Sequence, residues 1–192
     1  MGPCRHVLSR RRLVICRDAT TLITDTRFAR GFLPRTTKLW EAASERCLVR
    51  RVIIRTGIVL TTNGGALPPL ARPVKAMIAP VIGGDQYMSW IHIDDLCGIY
   101  MDALENEIWQ GVYNAVVPDP VLHRDFVGTL KKVLNPAAIT INVPPAFIRF
   151  LLGELSHVIL DSARVLPDHL VQQHFSYSYP YLEAALKNLY GR

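Results

Sequence analysis

The chain offers few side chains whose type and spacing could carry chemistry. Asp94 and Asp95 are adjacent carboxylates, and a carboxylate pair can share general acid and base work. They stand directly ahead of a stretch with helical apolar spacing. There an aspartate at position 94 serves as an N-cap, and Asp95 meets the positive end of the helix dipole. Capping accounts for both without catalysis. Gln86, Trp90 and His92 are the candidate substrate-binding groups, polar or aromatic side chains just upstream. Trp90 and His92 lie two apart on a predicted strand and so share one face. A packed tryptophan and a hydrogen-bonded core histidine is the competing reading. Thr56 and Gly57 end a β-branched run at the strand edge where α/β proteins hold ligands, or Gly57 serves only a tight turn.

Cys4, Cys16, Cys47 and Cys97 stand far apart, without a CxxC pair or a histidine at metal-ligand spacing. Neither a metal site nor a disulfide framework is expected, and a reducing compartment fits this usage. No residue is assigned as catalytic.

The 192 residues carry a formal charge of +6. Residues 1–30 hold seven arginines against two aspartates, which leaves a net +1 for everything after them. The basicity belongs to the leader and not to the fold, so nucleic-acid binding, which uses a basic stripe on packed elements, is not expected. No apolar run approaches the roughly 20 residues that cross a bilayer. Residues 1–31 form a basic leader of unassigned structure, readable as a transit peptide or as an unstructured segment. Its Leu13–Cys16 run could also form a short strand.

From Phe32 onward the pattern is regular. Leu39, Trp40, Ala43 and Cys47 recur at helical spacing. Arg51–Arg55 reads as a buried strand that stops at Thr56-Gly57. A proline-interrupted helix is expected from Ala66 to Met77, a strand at Ser89–Ile93, and a helix from Asp94 to about Leu104. Val112–Val116 is another strand, and His123–Leu134 is helical through Phe126, Val127, Leu130 and Val133. Ile139–Val143 is a candidate strand, Pro144-Pro145 starts a helix to about Leu152, and Tyr179–Tyr190 closes the chain as an amphipathic helix. Strands alternating with helices predict an α/β protein with a mostly parallel sheet.

Several consecutive segments resemble one family. Arg55-Thr56-Gly57-Ile58-Val59-Leu60 with Asn63-Gly64-Gly65-Ala66-Leu67 is similar to a strand and loop of the extended short-chain dehydrogenase/reductases of the epimerase-like subgroup. The run from Gln86 through Ser89-Trp90-Ile91-His92-Ile93-Asp94-Asp95 to Leu96 is the most specific match. Gly111-Val112-Tyr113-Asn114 with Arg124-Asp125-Phe126 resembles the family's next strand and helix. The stretch from Gly153 through Arg164-Val165-Leu166-Pro167 to Tyr179-Pro180 resembles the subgroup's small C-terminal domain. Phe32-Leu33 and Trp40-Glu41 match the end of its central active-site helix.

The resemblance implies the C-terminal part of a Rossmann-like doubly wound parallel sheet over residues 32–134, and a small, mostly helical substrate-side domain over 135–192. It implies NAD(P) as cofactor, with Thr56 and Gly57 beside the nicotinamide, and a small-molecule substrate. It also exposes departures. No G-x-G-x-x-G fingerprint for a pyrophosphate occurs in the sequence. The family's Tyr-x-x-x-Lys pair aligns with Leu33 and Thr37, which cannot pass a proton. Asp85 occupies a place where nucleotide-sugar enzymes keep a basic group, and a carboxylate there would repel a phosphate. The expectation is an epimerase-like oxidoreductase that lacks its nucleotide-binding half and is inactive alone, or a non-enzymatic binding module built from the substrate-side domain. A cytoplasmic location is expected, or an organelle if the leader is a transit peptide.

Overall fold

The computed structural model describes residues 39–45, 49–83, 85–144, 146 and 164–191, and the backbone of residues 13–18. The elements run β1 (Leu13–Asp18), α1 (residues 39–44), β2 (Arg50–Thr56), β3 (Ile58–Leu60), α2 (Leu67–Lys75), β4 (Ile78–Ile82) and β5 (Tyr87–Met88). They continue with β6 (Trp90–His92), α3 (Ile93–Glu105), β7 (Gly111–Ala115), β8 (Val121–Leu122), α4 (His123–Leu134), β9 (Ile139–Val143), α5 (Asp168–Gln172) and α6 (Leu182–Tyr190).

Val52, Ile53 and Ile54 are buried in succession, as in a strand covered on both faces. β2 is accordingly central, parallel to β1 on one side and β7 on the other. The apolar run at Leu13 does form a strand, extended to Asp18, so part of the basic leader belongs to the sheet. At Gly57 the chain changes neighbours. The Gly57 amide still bonds Ala115 of the β7 side (3.1 Å), whereas the Ile58 amide bonds Ser89 (2.9 Å), and β3 runs parallel to β6. A β-carbon at Gly57 would stand 2.6 Å from both the Ser89 carbonyl oxygen and Val116 Cγ1, so the crossing admits only glycine.

β6 separates two apolar cores. Trp90 packs with Leu60, Leu67, Phe126, Leu130 and Leu186, which come from β3, α2, α4 and α6. Ile91, pointing the other way, packs with Val52, Ile54, Ile99, Trp109 and Leu170. The expected helix at 66–77 is shorter, Leu67–Lys75, because Met77 takes a left-handed backbone conformation (φ 70°) and turns the chain into β4. β4 pairs in parallel with β9, and a salt bridge from Lys132 to Glu183 (2.8 Å) ties α4 to α6. The C-terminal residues thus share a core with the segment before them. The expected helix after Pro144 lies outside the described residues.

Charged side chains fasten the helices to the sheet. The Arg55 fork grips the Glu41 carboxylate of α1 at 2.7 and 2.8 Å. α3 has no basic residue in its last turn, and Arg50 of β2 supplies one. Its guanidinium donates to the carbonyls of Ala103 (3.0 Å) and Leu104 (3.4 Å) in the last helical turn, and of Asn106 (3.0 Å) and Trp109 (2.9 Å) just beyond it. Arg50→Met should cost about 1–3 kcal/mol in chemical denaturation, and Arg50→Lys should recover only part of it, because an ammonium cannot span four carbonyls. Equal stability of the methionine variant and the parent would refute this role.

Candidate functional site

Gln86, Trp90 and His92 are all enclosed, and the fold uses each of them. The Gln86 amide donates to the Ile82 carbonyl and braces the turn between β4 and β5, where Gly83 adopts φ 69°. The Gln86 carbonyl accepts the His123 amide at the start of α4 (2.9 Å). Trp90 has no exposed surface, and its indole nitrogen has no partner among the described residues. His92 shares the Trp90 face of β6, as expected, and is also fully buried.

His92, and not Asp94, is the N-cap of α3. Its backbone is extended (φ −72°, ψ 146°), and its Nδ1 accepts the Asp94 amide at 3.1 Å. The expectation of an aspartate cap fails because the strand ends on a histidine whose ring already reaches that amide. The Asp94 carboxylate is left 64% exposed, 3.6 Å from the ring. Burial lowers the His92 pKa, and Asp94, Asp95 and the nearby Asn188 amide oppose that shift, although Nε2 makes no well-formed hydrogen bond.

Asp95 points inward. Its two oxygens accept the backbone amides of Ser178 (2.7 Å) and Tyr179 (3.1 Å), and the Tyr179 ring lies 4.1 Å from that of His92. Other side chains fix the same C-terminal segment over the ends of the strands. Ser89 Oγ accepts the Val165 amide (3.0 Å), and Asn114 Nδ2 donates to the Leu166 carbonyl (3.1 Å). The Tyr177 hydroxyl donates to the Val116 carbonyl (2.8 Å), and burial, reinforced by Asp95, raises its pKa. Residues 164–179 therefore form a strap stitched along β6, from Ser89 before it to Asp95 after it, and across the C-terminal end of β7, the edge where ligands sit in α/β sheets. Sequence reasoning missed Ser89, Asn114 and Tyr177, whose partners are 52 to 76 residues distant.

Thr56 and Gly57 lie at that edge too. Gly57 is explained by the crossing described above, and the Thr56 hydroxyl is buried without a partner among the described residues. Neither presents an open cradle for a dinucleotide among the described residues. Asp85 is tied up by Arg124 at 2.9 Å. Leu33 and Thr37 lie outside the described residues. Among the described residues no group of His, Cys, Asp or Glu could hold a metal, no helix is long and apolar enough to cross a membrane, and Cys97 is an exposed free thiol.

Asp95→Asn keeps the volume but exchanges two charge-assisted bonds for weaker or lost ones, so it should cost about 1.5–3 kcal/mol and lower the melting temperature. A melting curve identical to that of the parent would remove Asp95 from the account. His123, also buried, has its pKa lowered by desolvation as His92 does. Both folded pKa values lie below 6.5, so the unfolded chain takes up protons first as pH falls. Stability held above about pH 6.5 should decline below it, and His123→Leu should flatten part of that decline. A melting temperature independent of pH between about 7.5 and 5.5 would contradict this.

Comparison with known proteins agrees with this geometry. A family model described as a domain of unknown function (DUF1731) matches residues 143–189. An epimerase family protein of Staphylococcus saprophyticus is 38% identical over 163 residues, covering 82% of this chain and 54% of that protein. The human epimerase family protein SDR39U1 is 35% identical over 154 residues, covering 78% of this chain and 52% of that protein. The chain spans about half the length of the curated relatives it matches. The crystal structure of human SDR39U1 (isoform 2) with NADPH superposes with a TM-score of 0.80 at 30% identity, over 93% of this chain and 60% of that one. Thermus thermophilus UDP-glucose 4-epimerase with NAD shares the fold alone, with a TM-score of 0.67 at 12% identity, over 92% of this chain and 64% of that one. By motif order, parallel sheet and likeness, the chain corresponds to the C-terminal part of epimerase family proteins with the short-chain dehydrogenase/reductase fold.

Proposed function

We propose that this chain supplies the substrate-side part of an NAD(P)-dependent, epimerase-like oxidoreductase acting on a small molecule, and that these 192 residues do not hold the dinucleotide by themselves. The observation that carries the reading is the edge of the sheet. β1 pairs with β2 on one side and with no other strand among the described residues, in an all-parallel sheet of a kind normally continued and covered. A nucleotide-binding βαβ unit joined at that edge would extend the sheet. Human SDR39U1, which resembles this chain, was crystallised with NADPH. The sequence itself has no glycine fingerprint to let a pyrophosphate approach a helix N-terminus. Leu33 and Thr37, at the positions matching the family's proton-passing pair, offer no acid or base.

A second reading, a non-enzymatic interaction module, draws on one observation. Met77, Ile78, Ile139 and Ile141 are large apolar side chains left exposed on and beside the β4–β9 pair. On that reading the chain is soluble alone, melts cooperatively and buries this strip against a partner.

Titration with NADPH and NADH, monitored by nicotinamide fluorescence, tests the first reading, and the solubility and melting of the chain alone test the second. The expected result is no saturable binding by the 192-residue chain, with a normal signal from the intact human relative. Saturable micromolar binding would overturn the proposal, since it would require a complete cofactor site within this sequence.

A further inference from the structure

Away from the strap, an open cleft of about 380 Å³ lies where β5 and β8 meet the first turns of α4 and α6. Its walls carry two tyrosines, Tyr87 and Tyr181, and two prolines, Pro120 and Pro180, and its charge comes from Asp119 and Asp125. The neighbouring carboxylates are neutralised: Asp85 by Arg124 (2.9 Å), and Glu183 by Lys132 (2.8 Å) and Lys187 (2.6 Å). The two lysines hold Glu183 down to a pKa of about 2. Asp119 and Asp125, by contrast, form no ion pair among the described residues. Asp125 lies in the first turn of α4, whose dipole offsets only about half a charge.

The aromatic wall already meets a cation from within the chain. The Arg164 guanidinium sits 5.6 Å from the centroid of the Tyr87 ring. Tyr181, at the other side, is 71% exposed. An aromatic face next to two carboxylates outside any ion pair among the described residues favours a large, weakly hydrated cation over a metal ion, because dispersion and the ring quadrupole add to the charge attraction. The volume is at the small end of the range for organic ligands.

We propose that this cleft binds an organic cation, a guanidinium or alkylammonium head group stacked on Tyr181 and paired with Asp119 and Asp125. The proposal is independent of the oxidoreductase reading, because the cleft shares no residue with the strap's anchors or with Thr56 and Gly57.

The full chain labelled with 3-fluorotyrosine is titrated by fluorine NMR with N-acetylarginine methylamide and with tetramethylammonium. N-acetylcitrulline methylamide is the neutral control. At least one cation should shift the Tyr181 resonance saturably, with a dissociation constant of the order of millimolar. The citrulline compound should leave it in place. Asp119→Asn with Asp125→Asn should weaken binding by about fivefold or more while unfolding stays cooperative, with only the small loss of stability expected from removing a carboxylate at a helix start. Tyr181→Leu assigns the resonance, and should weaken binding of either cation when the Tyr87 resonance is monitored instead. Whichever cation saturates identifies the head group. No saturation by either cation, an equal response to citrulline, or undiminished binding by the folded variants would overturn the proposal.

Discussion

The organisation of this molecule depends on one short stretch, β6 and the first turn of α3. Trp90 belongs to one core and Ile91 to the other, so a strand of three residues is the wall between them. Directly after it His92 caps α3 and Asp95 takes the amides of Ser178 and Tyr179. The run from Trp90 to Asp95 therefore positions both cores, starts a helix and fixes the C-terminal strap. None of these roles tolerates slippage. In so short a strand a shift of one residue would exchange the two cores and withdraw the carboxylate from the strap.

The same constraint explains why the most specific part of the family resemblance is not an array of open ligand-binding groups. Gln86, Trp90 and His92 hold the backbone around the sheet's C-terminal edge and do not project from it. Gly57 is likewise required by the approach of Ser89 and Val116. What they build is the floor beneath the strap. Chemistry at that edge then needs groups from elsewhere, in keeping with a chain that matches the C-terminal part of epimerase family proteins and whose 192 residues include neither a glycine fingerprint nor the paired tyrosine and lysine.

Local signals make much of the fold legible. α4 is readable from Phe126, Val127, Leu130 and Val133, because its apolar face is helical in period. β2 is legible from its β-branched run. The features that escape such reading are set by distant partners. Tyr179 looks like the start of the last helix, but α6 begins at Leu182, because Asp95 claims the amides of Ser178 and Tyr179 and the chain stays extended through Tyr181 (φ −110°, ψ 133°). Asp94 looks like the N-cap because aspartate is a preferred one, yet the ring of His92 takes that amide instead. The anchoring roles of Ser89, Asn114 and Tyr177 have no local signal at all, since each depends on a backbone group more than 50 residues away.

The central claim is that β6 joins the two cores into one cooperative unit. Native-state hydrogen exchange tests it most directly, by comparing the amide of Ile54 in one core with that of Leu130 in the other. If β6 couples them, both amides exchange only through the same global opening, with equal opening free energies and an equal dependence on denaturant. Exchange of Leu130 through a separate, lower-energy opening while Ile54 stays protected would show two independently folding halves and contradict the account.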